Sequence, residues 1–259
     1  MVVMQEISNS ITNYQRQAPT ISLSDEEKER IKKQIAEEDR QMAKRALEGH
    51  ERNRMRKVFS DSLINPLLEK ATFDTYIPKN QGAERAKQLC ERYAQNFDIN
   101  NPVNLLLVGN YGTGKSHLAV SAMKKLSIKN VTMPNGEIRN MSMLFIFIPK
   151  LMTIIKDTYN STSDNTEARI LNEIAKVDLL VMDDLGAEIK ANNNDFAISK
   201  ISEVVDSRQG KHTIYTTNYS ENDLLNMYGE RVFSRIMQDT HKISFEWENY
   251  RLRNMRGAN

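Results

Sequence analysis

The run Gly109-Asn110-Tyr111-Gly112-Thr113-Gly114-Lys115-Ser116 constrains this chain more than any other stretch of it. An apolar segment, Asn104–Val108, leads into it, and a helix-forming segment beginning His117-Leu118-Ala119-Val120 leads out. Glycines, a lysine and a hydroxyl residue at these offsets make the P-loop pattern. Such a pattern works in one local geometry. A buried strand ends, the backbone curls so that its N–H groups face inward, and a helix starts at once. Glycines permit the curl because no Cβ obstructs an approaching anion. The chemistry implied is a grip on the phosphates of ATP or ADP. Gly109, Asn110, Tyr111, Gly112, Thr113, Gly114, Lys115, Ser116 and the adjoining His117 form the nucleotide-binding set. Within it Lys115 reaches the β- and γ-phosphates and Ser116 ligates Mg²⁺.

The rest of the chain fits a fold built around such a loop. Strand-like runs at Asn104–Val108, Leu144–Ile148, Leu179–Met182, Thr213–Thr216 and Lys242–Phe245 alternate with helix-like runs. The helical runs are Lys115–Leu126, Lys150–Tyr159, Glu167–Ala175, Asp195–Arg208 and Glu221–Met237. This alternation predicts an α/β domain with a mostly parallel sheet flanked by helices. Pro134-Asn135-Gly136 marks a turn in a hairpin or loop inserted before the Leu144 run. Before the α/β pattern, Ser24 and Glu27 form a capping box that opens a charge-dense helix running to about Lys57. Ile31, Ile35, Met42, Ala46 and Leu47 give it a thin apolar stripe. That stripe suits either docking on a partner or a solvated, salt-bridged helix. Pro66 and Pro78 bracket a turn-rich linker, and a second amphipathic helix carries Ala83, Ala86, Leu89, Cys90, Tyr93, Ala94 and Phe97 on one face. The expected division is residues 1–70 as a helical partner-binding region with its linker, and 71–259 as the nucleotide-binding domain.

Composition excludes several classes. Cys90 is the single cysteine, so no internal disulfide or multi-cysteine zinc site can form. No run approaches the roughly 18 apolar residues of a membrane span, and the N-terminus lacks a signal-peptide pattern. A cytoplasmic protein with no membrane partner is expected. The formal charge of +2 neither favours nor excludes nucleic acid, which depends on local patches. Lys124, Lys125 and Lys129 are candidate phosphate contacts, or simply a solvated charge run.

Two further segments carry chemistry. Val177-Asp178-Leu179-Leu180-Val181-Met182-Asp183-Asp184 reads as a buried strand ending in two acids, where open α/β sheets gather ligands. Asp183 is the candidate Mg²⁺ residue and Asp184 the candidate for orienting the attacking water. In Thr213-Ile214-Tyr215-Thr216-Thr217-Asn218 a β-branched strand ends in an amide. If the Asn104 and Leu179 strands are neighbours, Asn218 reaches the γ-phosphate or the water; alternatively it simply ends a strand.

In these segments and in its C-terminal region the chain resembles the DnaC/DnaI helicase-loader branch of the AAA+ ATPases. Gly229-Glu230-Arg231-Val232-Phe233-Ser234-Arg235-Ile236 looks like the family's box VII. Phe245-Glu246-Trp247-Glu248-Asn249-Tyr250-Arg251-Leu252-Arg253 looks like its closing segment. Ala46-Leu47-Glu48, Arg52–Phe59 and Phe73-Asp74-Thr75-Tyr76 resemble the entry into the ATPase domain. The resemblance implies that Arg235 is an arginine finger completing a neighbouring subunit's site, with Arg231 as a second box VII arginine and Arg251 as sensor II in cis. Self-assembly through the ATPase domain would follow. It also implies a DnaB-type replicative helicase and single-stranded DNA as partners. Asp184 stands where most AAA+ proteins carry glutamate, so slow hydrolysis is expected. The insertion at 130–143 has no recognisable counterpart in DnaC, and the zinc cysteines of DnaI relatives are missing. Two alternatives share the core motifs: an IstB-type transposition helper acting on duplex DNA with a transposase, and a nucleotide-gated helicase adaptor or inhibitor. The Trp247–Arg253 segment favours the loader.

Overall fold

The computed structural model describes residues 24–42, 66–132, 136, 138–159, 166–189 and 194–252. The chain divides into two units, Met1–Glu51 and Arg52–Asn259. In the first, residues 25–42 form helix α1, exposed along its whole described length. The expected capping box is present: the Ser24 N–H donates to Glu27 Oε2 at 2.8 Å, and the Glu27 N–H donates to Ser24 Oγ at 3.2 Å. Ile31, Ile35 and Met42 stand 42%, 52% and 68% exposed, so the apolar stripe has no cover within this unit's described residues. Ala46 and Leu47 lie outside them.

The second unit is the α/β domain. Its elements are α2 (Pro66–Glu69), α3 (Gln81–Gln95), β1 (Asn104–Gly109), α4 (Lys115–Ser127), β2 (Asn130–Thr132), β3 (Ile138–Asn140), β4 (Met143–Phe147), α5 (Ile148–Tyr159), α6 (Glu167–Lys176), β5 (Leu179–Leu185), α7 (Asn194–Ser207), β6 (His212–Thr217), α8 (Glu221–Met237) and β7 (Thr240–Phe245). A 3₁₀ turn, Tyr250–Leu252, follows. The five longer strands lie in the order β4-β5-β6-β1-β7, every pairing parallel. β2 and β3 pair antiparallel as a separate hairpin, which is the insertion before β4.

The apolar strand runs exist because both sheet faces are covered. Alternate side chains point to opposite faces. Leu106, Ile146, Leu180, Met182 and Tyr215 go to one core with α5, α6, α7 and α8. Leu105, Leu107, Phe145, Leu179, Val181 and Ile214 go to the other with α3 and α4. Cys90 lies in this second core, 1% exposed, and burial pushes its thiol up to about 12. It is a small buried hydrophobe, as its helical face predicted.

Two sequence expectations change. The stretch from Pro66 to Pro78 is not simply a linker: it contains α2, and Phe73 and Tyr76 are buried in the second core. The lysines after the P-loop are partly committed to structure. Lys129 Nζ donates to the carbonyls of Ala94 at 2.8 Å and Gln95 at 2.9 Å, capping the C-terminus of α3. Lys124 Nζ donates to the Glu69 carbonyl at the end of α2.

A buried arginine fastens the lower edge of the sheet. Arg208 is 2% exposed. It donates to the carbonyls of Val177 at 2.5 Å and His212 at 2.5 Å, joining the entries to β5 and β6. Burial lowers its pKa to about 10. Arg208→Ala leaves those carbonyls unsatisfied and is expected to cost about 3 kcal/mol of stability, read as a lower midpoint in urea unfolding. An unchanged midpoint contradicts that role. Among the described residues no helix is long and apolar enough to cross a membrane.

Candidate functional site

The site is built where β1, β5 and β6 end on one edge of the sheet. β1 terminates at Gly109, and the chain turns through Gly112 and Gly114 at positive φ before α4 begins at Lys115. Side chains are excluded here by close packing. A Cβ on Gly109 would lie 2.2 Å from the Phe245 carbonyl oxygen, and one on Gly112 1.9 Å from Asn249 Oδ1. The cap residue Gly114 offers no side-chain hydrogen bond to the first turn of α4. That turn's N–H groups therefore remain available to an anion.

Lys115 is 6% exposed. Its Nζ donates to the Gly109 and Asn110 carbonyls, both at 2.7 Å, and to Asn218 Oδ1 at 2.8 Å. Burial lowers its pKa to about 8, against the opposing pull of Asp184 and Asp183. Ser116, the next residue, stands near enough to Asp183 for its side chain to counter the effect of burial on that acid's pKa. Asp183 Oδ1 accepts from Thr216 Oγ1 at 2.7 Å. Burial raises the pKa of both Asp183 and Asp184.

β5 does not end regularly. Its register with β6 shifts between Met182 and Leu185, and Asp184 sits at φ 64°. In a flat strand, adjacent side chains face opposite ways. The bulge breaks that alternation, as bulges near functional sites commonly do, and both acids reach the site. Thr216 holds the arrangement from β6, donating to Asp183 and accepting the Asp184 N–H at 3.0 Å.

The sequence leaves open whether the strands carrying the P-loop and Asp183 are adjacent. They are not: β6 lies between β1 and β5. The reason is the crossover after β5, which returns through α7 to place β6 in the middle. This interposition puts Asn218 between the two halves of the site. Its Oδ1 accepts from Lys115 and its Nδ2 donates to Asp184. The amide orientation is fixed by having one donor and one acceptor as partners.

The segment after β7 forms a wall of the loop. Trp247 Nε1 donates to the Thr113 carbonyl at 3.0 Å, and the Tyr250 N–H donates to the Gly112 carbonyl at 2.9 Å. The charge of Arg251 is felt at both Lys115 and Asp184 within the same chain. Arg253 lies outside the described residues. On the other flank, Tyr76 O–H donates to the Thr113 carbonyl at 3.4 Å. His117 turns to that flank as well, with Nε2 at 2.9 Å from the Thr72 carbonyl and 3.3 Å from Thr75 Oγ1. The sequence did not reveal that Tyr76, Trp247 and Asn249 close on the loop. Their aromatic and amide character gave a hint, but only the long-range path of the chain brings them there. Tyr111, by contrast, is 62% exposed at the loop's tip.

Arg235 is not brought to this site. It lies in the last turn of α8 and pairs with Asp206 of α7, which Arg231 also approaches at 3.5 Å. Gln209, which donates to the Arg235 carbonyl, precedes the first residue of β6. Asn218 follows the last. At about 3.3 Å per strand residue, roughly 20 Å of sheet separates Arg235 from the phosphate loop of its own chain.

Comparison with known proteins gives the family. The family described as IstB-like ATP binding protein matches residues 7–258. The chain is 30% identical to the replicative helicase loader DnaC of Escherichia coli K12 over 77% of each chain. It is 29% identical to the replicative helicase loader DnaC of Buchnera aphidicola subsp. Baizongia pistaciae over 83% of each. The crystal structure of the DnaC helicase loader superposes with a TM-score of 0.59 and 28% identity, covering 70% of this chain and 99% of that one. This chain belongs to the IstB-like ATP-binding protein family, alongside the DnaC proteins, and is a P-loop ATPase of the AAA+ type.

Proposed function

We propose that this protein is an ATP-dependent loader that binds a DnaB-type hexameric replicative helicase and delivers it to single-stranded DNA. The observation that carries the reading is the 30% identity to a replicative helicase loader over 77% of both chains. The site supports the ATP dependence. Lys115 binds the β- and γ-phosphates, and the loop N–H groups from Gly109 to Ser116 enclose them. Ser116 and Asp183 hold Mg²⁺. The fit is chemical: a hydroxyl and a carboxylate close together would suit a hard cation that prefers oxygen ligands. Among the described residues no cluster of three or more acidic, histidine or cysteine side chains offers a full protein cage. The ion when bound neutralises charge on the phosphate oxygens. Asp184, held by Asn218, orients the attacking water, and Arg251 acts on the phosphates in cis.

Arg235 supports a division of labour between subunits. Since it stands away from its own phosphate loop, it serves as a finger for a neighbour's site, and turnover depends on self-assembly. Aspartate at position 184 is one methylene shorter than glutamate, which makes slow hydrolysis the expectation. ATP state acts on the helicase complex by favouring one assembly over another, which requires differential binding to the two.

The exposed stripe of α1 supports helicase docking by the N-terminal unit. Deleting residues 1–60 is expected to leave ATP affinity within about twofold and to remove co-purification with the helicase. Retention of that complex moves the contact into the ATPase domain. Loading itself is tested by helicase unwinding of a forked DNA coated with single-strand binding protein. Stimulation by this chain with ATP supports delivery, and none argues for an adaptor or inhibitor.

A further inference from the structure

A third acid follows Asp183 and Asp184 and has no part in the site described above. Glu188 lies just beyond β5 and is 8% exposed. One of its oxygens accepts the Gly186 N–H at 3.0 Å, and the other accepts the Tyr228 hydroxyl. Tyr228 is 5% exposed and is the last residue before a break in α8. Gly229 there has φ 75° and ψ 166°, so α8 is two helical pieces joined at a kink. The second piece carries Arg231 and Arg235, both directed to Asp206.

The turn that holds Glu188 is firmly joined to the site. The Leu185 carbonyl accepts from Thr217 Oγ1 at 2.7 Å. Gly186 packs so closely on the Tyr219 ring that a Cβ would lie 2.5 Å from it. The path from the acidic strand end to the kink is therefore short: Asp184, Leu185, Gly186, Glu188, Tyr228, Gly229, of which Leu185, Gly186, Glu188 and Tyr228 are buried. Satisfying the Gly186 N–H needs only one acceptor. The second oxygen is committed to a residue on another element, at the point where that element changes direction. A buried carboxylate is costly to desolvate, and apolar packing between turn and helix would join them without that cost. A directional hydrogen bond, however, fixes an angle that apolar contact leaves free.

We propose that Glu188 and Tyr228 are positioning residues for ATP hydrolysis, whose bond sets the second half of α8 relative to the Asp183–Asp184 strand end. A subunit's own nucleotide site thereby sets the aim of the arginine it presents to its neighbour. This rests on the reading of Arg235 as a finger in trans.

Tyr228→Phe tests it, because it removes one hydroxyl and leaves the ring in the core. ATP affinity is read with a fluorescent ATP analogue, and steady-state turnover is read across a protein concentration series with Arg235→Ala in parallel. The expected result for Tyr228→Phe is a Kd and KM within twofold of wild type and a kcat of the assembled protein lower by roughly tenfold. At dilute protein its rate equals wild type. Glu188→Ala should show the same split, and the double variant should be no slower than Glu188→Ala alone, since both changes remove one bond. A purely structural role predicts instead a lower melting temperature and weakened ATP binding with no selective loss in the assembly. Wild-type kcat in Tyr228→Phe beside an inactive Arg235→Ala overturns the coupling and leaves the finger standing. Losses that multiply in the double variant overturn it as well. Full turnover in Arg235→Ala removes the finger reading and the coupling with it.

Discussion

Lys115→Ala abolishes ATP binding in this account, with Kd weakened more than a hundredfold. The ammonium is buried and held by three acceptors, the Gly109 and Asn110 carbonyls of the loop and Asn218 Oδ1. Truncating one partner of a buried, hydrogen-bonded charge pair typically costs about 2–5 kcal/mol, and about 3 kcal/mol already exceeds a hundredfold in affinity. Isothermal titration with ATP and Mg²⁺ measures it. The fold should survive, because the loop is also held from outside by Tyr76, Trp247 and Tyr250. ATP affinity equal to wild type, in a variant with an unaltered circular dichroism spectrum, would remove Lys115 from the phosphate site.

Arg235→Ala should behave in the opposite way. ATP affinity stays within about twofold, since the guanidinium lies on the far edge of the sheet from its own loop, paired with Asp206. Turnover of the assembled protein falls by about a thousandfold, the lower end of what an arginine finger supplies to phosphoryl transfer. Arg231 remains near Asp206 at 3.5 Å, so the end of α7 keeps a cationic neighbour and stability changes little. A monomer that hydrolyses ATP as fast as the assembly contradicts the finger. So does an Arg235→Ala variant whose loss appears as weaker ATP binding at unchanged kcat.

Much of this architecture was legible because parallel strands buried on both faces leave an unmistakable trace. Leu105-Leu106-Leu107 and Leu179-Leu180-Val181-Met182 are runs that neither an exposed strand nor an amphipathic helix would carry. Helix α8 was placed at Glu221–Met237 from its pattern, and its Ser220–Asp223 capping box is a local signal of the same kind. Information that depends on the path of the chain was not legible. Nothing near Asn218 states that β6 lies between β1 and β5, so the bridge from Lys115 to Asp184 through its amide required the topology. The left-handed Asp184 was hidden as well, because aspartate in a strand end gives no local sign of a bulge. Arg208 reads in sequence as the polar end of a helix, yet it is buried beneath the sheet, where the carbonyls of Val177 and His212 take the place of water. The closing segment showed a similar limit. Trp247 and Asn249 were picked out by resemblance, while their seat on Thr113 and Gly112 comes only from the return of β7 alongside β1.

The loader reading joins two claims: that the nucleotide site works, and that the chain grips a helicase. The second is the more exposed. It is tested most directly by size-exclusion chromatography of the full chain mixed with the DnaB-type helicase of its own source, with and without ATP and Mg²⁺. The account predicts a co-eluting complex whose stability differs between the two conditions. Two separate peaks in both conditions would contradict it, and would direct attention to a transposase and duplex DNA as the partners of this ATPase.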